Sequence, residues 1–335
     1  MSVRRLVGAT LAAVLFAVAG CGEKEDRLSA GDSEPFKLLL DYFPNADHAP
    51  IYAARSGGHF KDAGLEVEIR QPSDPAAPIK QVAAGRVDLA VSYEPEVLRA
   101  RDQGLNVVAV GALVREPLTS IISLPSAGVR RVADLSGKKV GTAGIDYQSA
   151  FLRTVLDRAR VPRGRVTERN VGFSLAPALI TRRVDAVLGA FWNYEGTELR
   201  LRGKRPQIIR IEDAGVPTYN ELVLVANKDA LEADSGRLRA FIGALARGTA
   251  DVRRNPDRAI RGLLADNRDL DPRLQREVVR ATSRLFAPAR GRPYGYQDPR
   301  EWQRFTAWMR ENGLLRRFPN ARASFTNELL PGQGL

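Results

Sequence analysis

The sequence predicts an α/β protein of two lobes, each a mostly parallel sheet flanked by helices. Three observations predict it. Short apolar runs of strand length alternate with helical patterns from about residue 37 to residue 227, the order that yields parallel strands joined by crossover helices. About 300 residues remain beyond the N-terminal leader, more than one hydrophobic core usually serves. Two segments a hundred residues apart also read alike, as if one unit occurred twice.

The strands are expected at Lys37–Leu40, Glu66–Arg70, Leu89–Ser92, Val107–Leu113, Ser120–Leu124, Lys139–Gly141, Arg165–Asn170, Ala186–Gly189, Gln207–Arg210 and Leu222–Ala226. Each is a short run rich in Val, Ile or Leu. Between them, Tyr147–Arg160 carries Phe151, Leu152, Val155, Leu156 and Ala159 on one stripe, which is helical spacing. After about Lys228 only helices are expected: Ser235–Arg254, Pro256–Asp266, Pro272–Leu285 and Pro299–Asn312. Asp271 before Pro272 and Asp298 before Pro299 read as N-caps with proline in the first turn. A helical C-terminal third without strands is expected to pack back on the first lobe.

The repeated segments are Ala83–Val91 and Ile180–Leu188. In both a helix ends, a basic residue precedes Val-Asp, and an apolar strand begins. Both strands then exit into aromatics, Ser92-Tyr93 in one and Phe191-Trp192-Asn193-Tyr194-Glu195 in the other.

The leader stands apart from this pattern. Arg4 and Arg5 precede an apolar run of 14 residues, Leu6 to Ala19, too short to span a bilayer comfortably. The run ends in Val18-Ala19-Gly20-Cys21, and Cys21 is the only cysteine. Residues 1–20 therefore read as a signal peptide. Small residues before a lone cysteine resemble the bacterial lipoprotein cleavage box, which implies a lipid on Cys21. Residues 21–35, rich in Gly, Glu, Asp, Lys and Ser, read as a tether. The predicted location is the cell envelope, on the outer face of the cytoplasmic membrane. Adjacent Arg4 and Arg5 leave export by the general or the twin-arginine route open.

With no second cysteine, the exported domain's stability has to come from core burial. The formal net charge of +12 comes from scattered Lys and Arg mixed with acids. No basic run marks a nucleic-acid surface. The two histidines, His48 and His59, stand away from any acidic or cysteine cluster, so no metal site is expected.

In an open α/β sheet a ligand sits beyond the carboxyl ends of the strands. The first strand runs into Asp41-Tyr42-Phe43-Pro44-Asn45 and then His48. The third runs into Ser92 and Tyr93. In the second lobe the exit offers Trp192, Asn193, Tyr194 and Glu195, and the return to the first lobe passes Tyr219 and Glu221. Leaving aside Phe43 and Pro44, these twelve residues are the candidate ligand-binding set. Tyr42 and Phe43 suit a core as well, Trp192 suits lobe packing, and His48 suits a helix start. As a set they combine aromatic faces, amides and carboxylates. Flat rings stack between aromatics, and an exocyclic amine needs a carboxylate or amide oxygen. A small aminopyrimidine fits this inventory better than a sulfonate, which would call for Arg and helix-start N–H groups.

Four segments carry a family resemblance: Asp41-Tyr-Phe-Pro-Asn45-Ala-Asp-His48, Val91-Ser-Tyr-Glu-Pro95, Gly189-Ala-Phe-Trp-Asn-Tyr-Glu-Gly196 and Gly215-Val-Pro-Thr-Tyr-Asn-Glu-Leu222. Over roughly residues 36–330 the chain closely resembles the ThiY/NMT1-type, Thi5-like family. The resemblance implies the periplasmic-binding-protein fold (type II-like), with lobe 1 at 36–118 and 222–335, lobe 2 at 119–221, and a hinge near 113–124 and 216–226. It also implies a substrate-binding lipoprotein of an ABC importer for thiamine-type aminopyrimidines of the hydroxymethyl or formylamino kind. The implied partners are a permease and its ATPase, with no cofactor, no catalysis and no nucleic acid; a monomer is the default expectation.

More distant relatives bind sulfonates, taurine or nitrate. The family's fungal branch is a pyrimidine-phosphate synthase that consumes a histidine matching His48 and binds pyridoxal phosphate through a lysine. This chain lacks that branch's cysteine-rich motif, and near the lysine's region it carries Arg55.

Overall fold

A computed structural model describes residues 34–317 and 320–332. The expected signal peptide at 1–20, the expected lipidation site Cys21 and nearly all of the expected 21–35 tether lie outside these residues.

Ten strands form two five-stranded sheets. The first contains β1 (Phe36–Leu39), β2 (Val67–Arg70), β3 (Leu89–Ser92), β4 (Val107–Val114) and β10 (Leu222–Asn227), ordered β2-β1-β3-β10-β4. The second contains β5 (Thr119–Ser123), β6 (Lys139–Thr142), β7 (Thr167–Asn170), β8 (Ala186–Phe191) and β9 (Gln207–Arg210), ordered β7-β6-β8-β5-β9. All ten expected strands are present, with ends shifted by at most two residues. β4 is buried along all eight residues, as its unbroken apolar run requires when both faces are covered.

In each sheet four strands run one way and one is reversed. β10 lies antiparallel between β3 and β4, and β5 lies antiparallel between β8 and β9. The reversed strands are the ones the chain enters on crossing between sheets, outward after β4 and back after β9. The remaining pairings, β1 with β2 and β3 and β6 with β7 and β8, are parallel.

The repeated segments occupy equivalent places. Asp88 accepts the Lys37 N–H at 2.6 Å and returns its own N–H to the Lys37 carbonyl at 3.0 Å. Asp185 does the same with Lys139, at 2.8 Å in both directions. The aspartate therefore fixes the register at which β3 joins β1 in the first sheet and β8 joins β6 in the second.

The helices follow the sequence with local differences. Ser235–Arg254 runs as expected, and Asp271 and Asp298 cap their helices by accepting N–H groups of the first turn. The segment expected as one helix over Pro256–Asp266 is two pieces, Pro256–Ala259 and Arg261–Asp266, with Ile260 as a turn residue between them. The helix Asp146–Arg158 ends before Arg160, whose φ of 57° is left-handed.

Ser235–Arg254 packs on the first-lobe helix Ala49–Ser56. A Cβ on Gly248 would lie 2.5 Å from Ala54 N and Pro50 O, so the approach needs glycine. Two C-terminal helices also reach the second sheet's side. Pro272–Thr282 touches both the turn Ala46–His48 and the helix Glu195–Leu201. Phe305 and Trp308 of Pro299–Glu311 pack edge-on against Phe151, at 6.4 and 5.8 Å between ring centroids.

Candidate functional site

The carboxyl ends of β1, β3, β6 and β8 meet at a cleft with about 430 Å³ of empty space, part of it open to solvent. The lining includes Asp41, Tyr42, Asn45, His48 and Tyr93 from the first lobe, and Tyr194 and Glu195 from the second. Seven of the twelve sequence-predicted residues thus converge here.

On the first lobe's side the polar groups are bonded to one another. Asp41, 2% exposed, takes the Tyr93 hydroxyl on Oδ2 at 2.7 Å and His48 Nε2 on Oδ1 at 2.8 Å. His48 Nδ1 accepts the Asn45 N–H at 3.3 Å, so Nε2 carries the hydrogen that reaches Asp41. Asn45 caps the turn Ala46–His48, its Oδ1 accepting the Asp47 N–H at 2.8 Å. Burial, with the nearby Asp41 carboxylate adding to it, holds the Tyr93 phenol well above its ordinary pKa, so it stays protonated and donates.

The second lobe presents an apolar floor with a few polar groups: Ile145, Leu175 and Phe191 beside Gln148 and Glu195. β8 carries a bulge at Gly189, where pairing with β5 skips from Leu188 to Ala190. Gly189 has φ +99°, and a Cβ there would meet the Gln148 amide at 2.3 Å. Gln148 Oε1 in turn accepts the Ala143 N–H at 2.8 Å. The turn after β6 therefore has its Ala143 N–H occupied by a side chain, as a tight strand-to-helix turn would. Glu195 opens the helix Glu195–Leu201 and accepts the Phe191 N–H at 2.7 Å. Burial pushes its carboxyl up to about 8.

The lobes touch across the cleft. The Tyr42 hydroxyl donates to the Phe173 carbonyl at 2.7 Å, with the two rings edge-on at 4.7 Å between centroids. Phe43 lies 6.0 Å from both Phe173 and Tyr194.

The other five predicted residues sit outside the cleft lining. Ser92 donates to Glu96 behind β3. Trp192, expected to supply a stacking face, instead donates its indole N–H to Pro117 O at 3.3 Å under the Arg210 guanidinium. Asn193 bonds Asp47 and Thr282. Tyr219 packs on Phe305 and Phe151. Glu221, 0% exposed, accepts the Leu118 N–H at 2.6 Å, the Thr119 N–H at 2.7 Å and the Thr119 hydroxyl at 3.0 Å. It staples the two interlobe crossovers to each other. Their position near strand ends drew attention to these five; the direction of each side chain, set by pleat and crossover, sends them elsewhere.

Sequence reasoning missed Asp47, Gln148, Leu175 and Phe191 as lining residues. A signal for Asp47 was available, since it lies inside the Asp41–His48 segment. For Gln148 there was none beyond its nearness to a helix start.

No group of three or more His, Cys, Asp or Glu side chains suited to a metal ion occurs among the described residues.

Comparisons with known proteins agree with this geometry. The family model described as NMT1/THI5 like matches residues 45–259. The formylaminopyrimidine-binding protein of Halalkalibacterium halodurans is 32% identical over 323 residues, 95% of this chain and 96% of its own. A Haemophilus influenzae protein named for thiamine biosynthesis is 36% identical over 283 residues, 84% of this chain and 88% of that protein. Among solved structures, the periplasmic aliphatic sulphonate binding protein SsuA of Escherichia coli aligns with TM-score 0.63 at 18% identity, over 88% of this chain and 93% of that one. The fold is the two-lobed α/β fold of the periplasmic binding proteins.

Proposed function

The chain belongs to the NMT1/THI5-like family, and on that premise we propose that it is the substrate-binding component of an ABC importer. It captures a thiamine-precursor aminopyrimidine, of hydroxymethyl or formylamino type, between its lobes. The observation that carries this reading is the cleft where Tyr42 and Tyr194 supply rings beside the buried Glu195. A carboxyl pushed up to about 8 by burial is mostly protonated at neutral pH. It then offers a hydroxyl donor beside a carbonyl acceptor. A 4-aminopyrimidine presents the complement, a ring nitrogen beside an exocyclic amine. The relative from Halalkalibacterium halodurans, named for binding formylaminopyrimidine, supports the same ligand class.

In this reading Asp41, Asn45, His48 and Tyr93 form the first lobe's wall, and Tyr42, Tyr194 and Glu195 hold the ring. Lobe 1 comprises 36–118 and 222–335, and lobe 2 comprises 119–221. They close about the crossovers that Glu221 staples. Cys21 carries the lipid that keeps the protein, as a monomer, on the outer face of the cytoplasmic membrane beside its permease and ATPase.

Binding without chemistry fits two further observations. His48 is engaged at both ring nitrogens, and Arg55 pairs with Asp266 and lies over the Tyr52 ring rather than in the cleft. The test is calorimetric titration with aminopyrimidines, thiamine and taurine in parallel. Tight binding of an aminopyrimidine alone is the expected result. Binding of taurine alone would reassign the ligand to the sulfonate class.

A further inference from the structure

In the cleft wall one carboxylate is shared between the lobes. Asp47, 1% exposed, belongs to the first lobe's turn Ala46–His48 and lines the cleft. Its Oδ1 accepts the Asn193 amide at 2.6 Å, and the Thr282 hydroxyl lies 3.0 Å from the same oxygen. Asn193 sits at the exit of β8 in the second lobe and also donates to Thr282 at 2.7 Å. The other oxygen, Asp47 Oδ2, is buried with no hydrogen-bond partner.

A buried carboxylate oxygen without a donor costs free energy that a bound donor would recover. Among the carboxylates in the lining, Asp41 already has protein donors on both oxygens, whereas Asp47 has them on one. Burial has raised the Asp47 carboxyl to about 6, opposed first by the neighbouring His48 and then by its bonds to Thr282 and Asn193. The group is thus mostly ionised at neutral pH, an acceptor with its Oδ2 unengaged.

Resting on the aminopyrimidine reading above, we propose that Asp47 couples recognition to closure: Oδ2 accepts a hydrogen from the ligand's amine while Oδ1 holds the second lobe through Asn193. A ligand with an oxygen in place of the amine meets acceptor against acceptor and is rejected. Thr282, from the C-terminal helix, positions the Asn193 amide, so three separate chain segments converge on one oxygen. The specificity residue and the latch are the same side chain, so the lobes are held shut most firmly around a ligand that donates to it.

Two variants separate this from a merely structural role. The probes are 4-amino-5-hydroxymethyl-2-methylpyrimidine and its 4-oxo counterpart, titrated into the full chain, with small-angle scattering before and after saturation. Asp47→Asn is expected to lower affinity for the amino probe at least tenfold and to narrow or invert the amino-over-oxo preference, because its amide can donate to the oxo group. Asn193→Ala is expected to weaken both probes alike, keep the preference, and reduce the ligand-induced compaction. An unchanged preference in Asp47→Asn, or equal losses for both probes in both variants, overturns the coupling while leaving the aminopyrimidine reading intact. If the unmodified protein binds neither probe, that reading falls and this inference falls with it.

Discussion

The two lobes are alike where their strands begin and unlike where they end. At the starts, Asp88 with Lys37 and Asp185 with Lys139 make the same two-way pairing in each sheet. At the ends, the first lobe offers a closed network of Asp41, Tyr93 and His48, while the second offers apolar side chains, one bulge and Glu195. The difference teaches where each kind of constraint acts. Strand starts serve the sheet, and any lobe of this topology needs them. Strand ends face the ligand, so a duplicated scaffold can diverge there without losing its register.

The largest expected effect lies at neither end but at the crossovers common to both lobes. Glu221→Ala leaves the Leu118 and Thr119 N–H groups buried without an acceptor. It should cost about 3 kcal/mol of stability, read by urea unfolding. A loss below about 1 kcal/mol would mean that the crossovers hold together without the staple.

Next comes the ligand end. Glu195→Ala should weaken aminopyrimidine binding by about 1–3 kcal/mol with little change in unfolding midpoint. Unchanged affinity in the titration would remove Glu195 from the site and weaken the contrast between ends.

A pH profile sharpens the contrast, because the buried carboxyls cluster at strand ends and crossovers. Burial raises Glu94 and Glu195 to about 8, and Glu96 and Glu221 to about 7. An unfolded Glu titrates near ~4.3. Between that value and 7–8 the folded state binds more protons than the unfolded one. These groups' contribution is therefore fully present below the unfolded pKa and is lost as pH rises through the folded values. The midpoint temperature of the ligand-free protein should fall from pH 5 to pH 8, and Glu94→Gln should flatten the fall. A profile that climbs across this range would contradict the assignment.

The smallest effect is at the strand starts. Asp88→Ala and Asp185→Ala should each cost about 1 kcal/mol of stability and leave ligand affinity unchanged. Unequal costs, or a loss of affinity from either, would break the equivalence of the two lobes.

Much of this architecture was legible in the sequence. The strands show as apolar runs between turn signals, and Asp271 and Asp298 announce their helices, because these features depend on neighbours in sequence. The repeated Val-Asp stood out because a register-fixing pair needs the same residue at the same place. The cleft was only half legible. Asp41, Tyr42, Asn45 and His48 lie within one turn, whereas the contact of Tyr42 with Phe173 and that of Asp47 with Asn193 join residues more than a hundred positions apart. Trp192 misled for the same reason: its indole turns toward Pro117 because the crossover happens to pass there.

The placement of β10 has a consequence for the order in which the molecule assembles. The second sheet has all five of its strands once residue 210 exists, and they come from one continuous stretch of chain. The first sheet waits for Leu222–Asn227 to slot between β3 and β4, pairing Leu224 with Val91. For a chain that emerges N-terminus first, the lobe encoded second is the first able to finish. The earlier lobe meanwhile leaves the inner edges of β3 and β4 unpaired, and loop closure over so long a separation is slow. Those two edges are where a chaperone, or a misfolding neighbour, finds this protein before its ligand does.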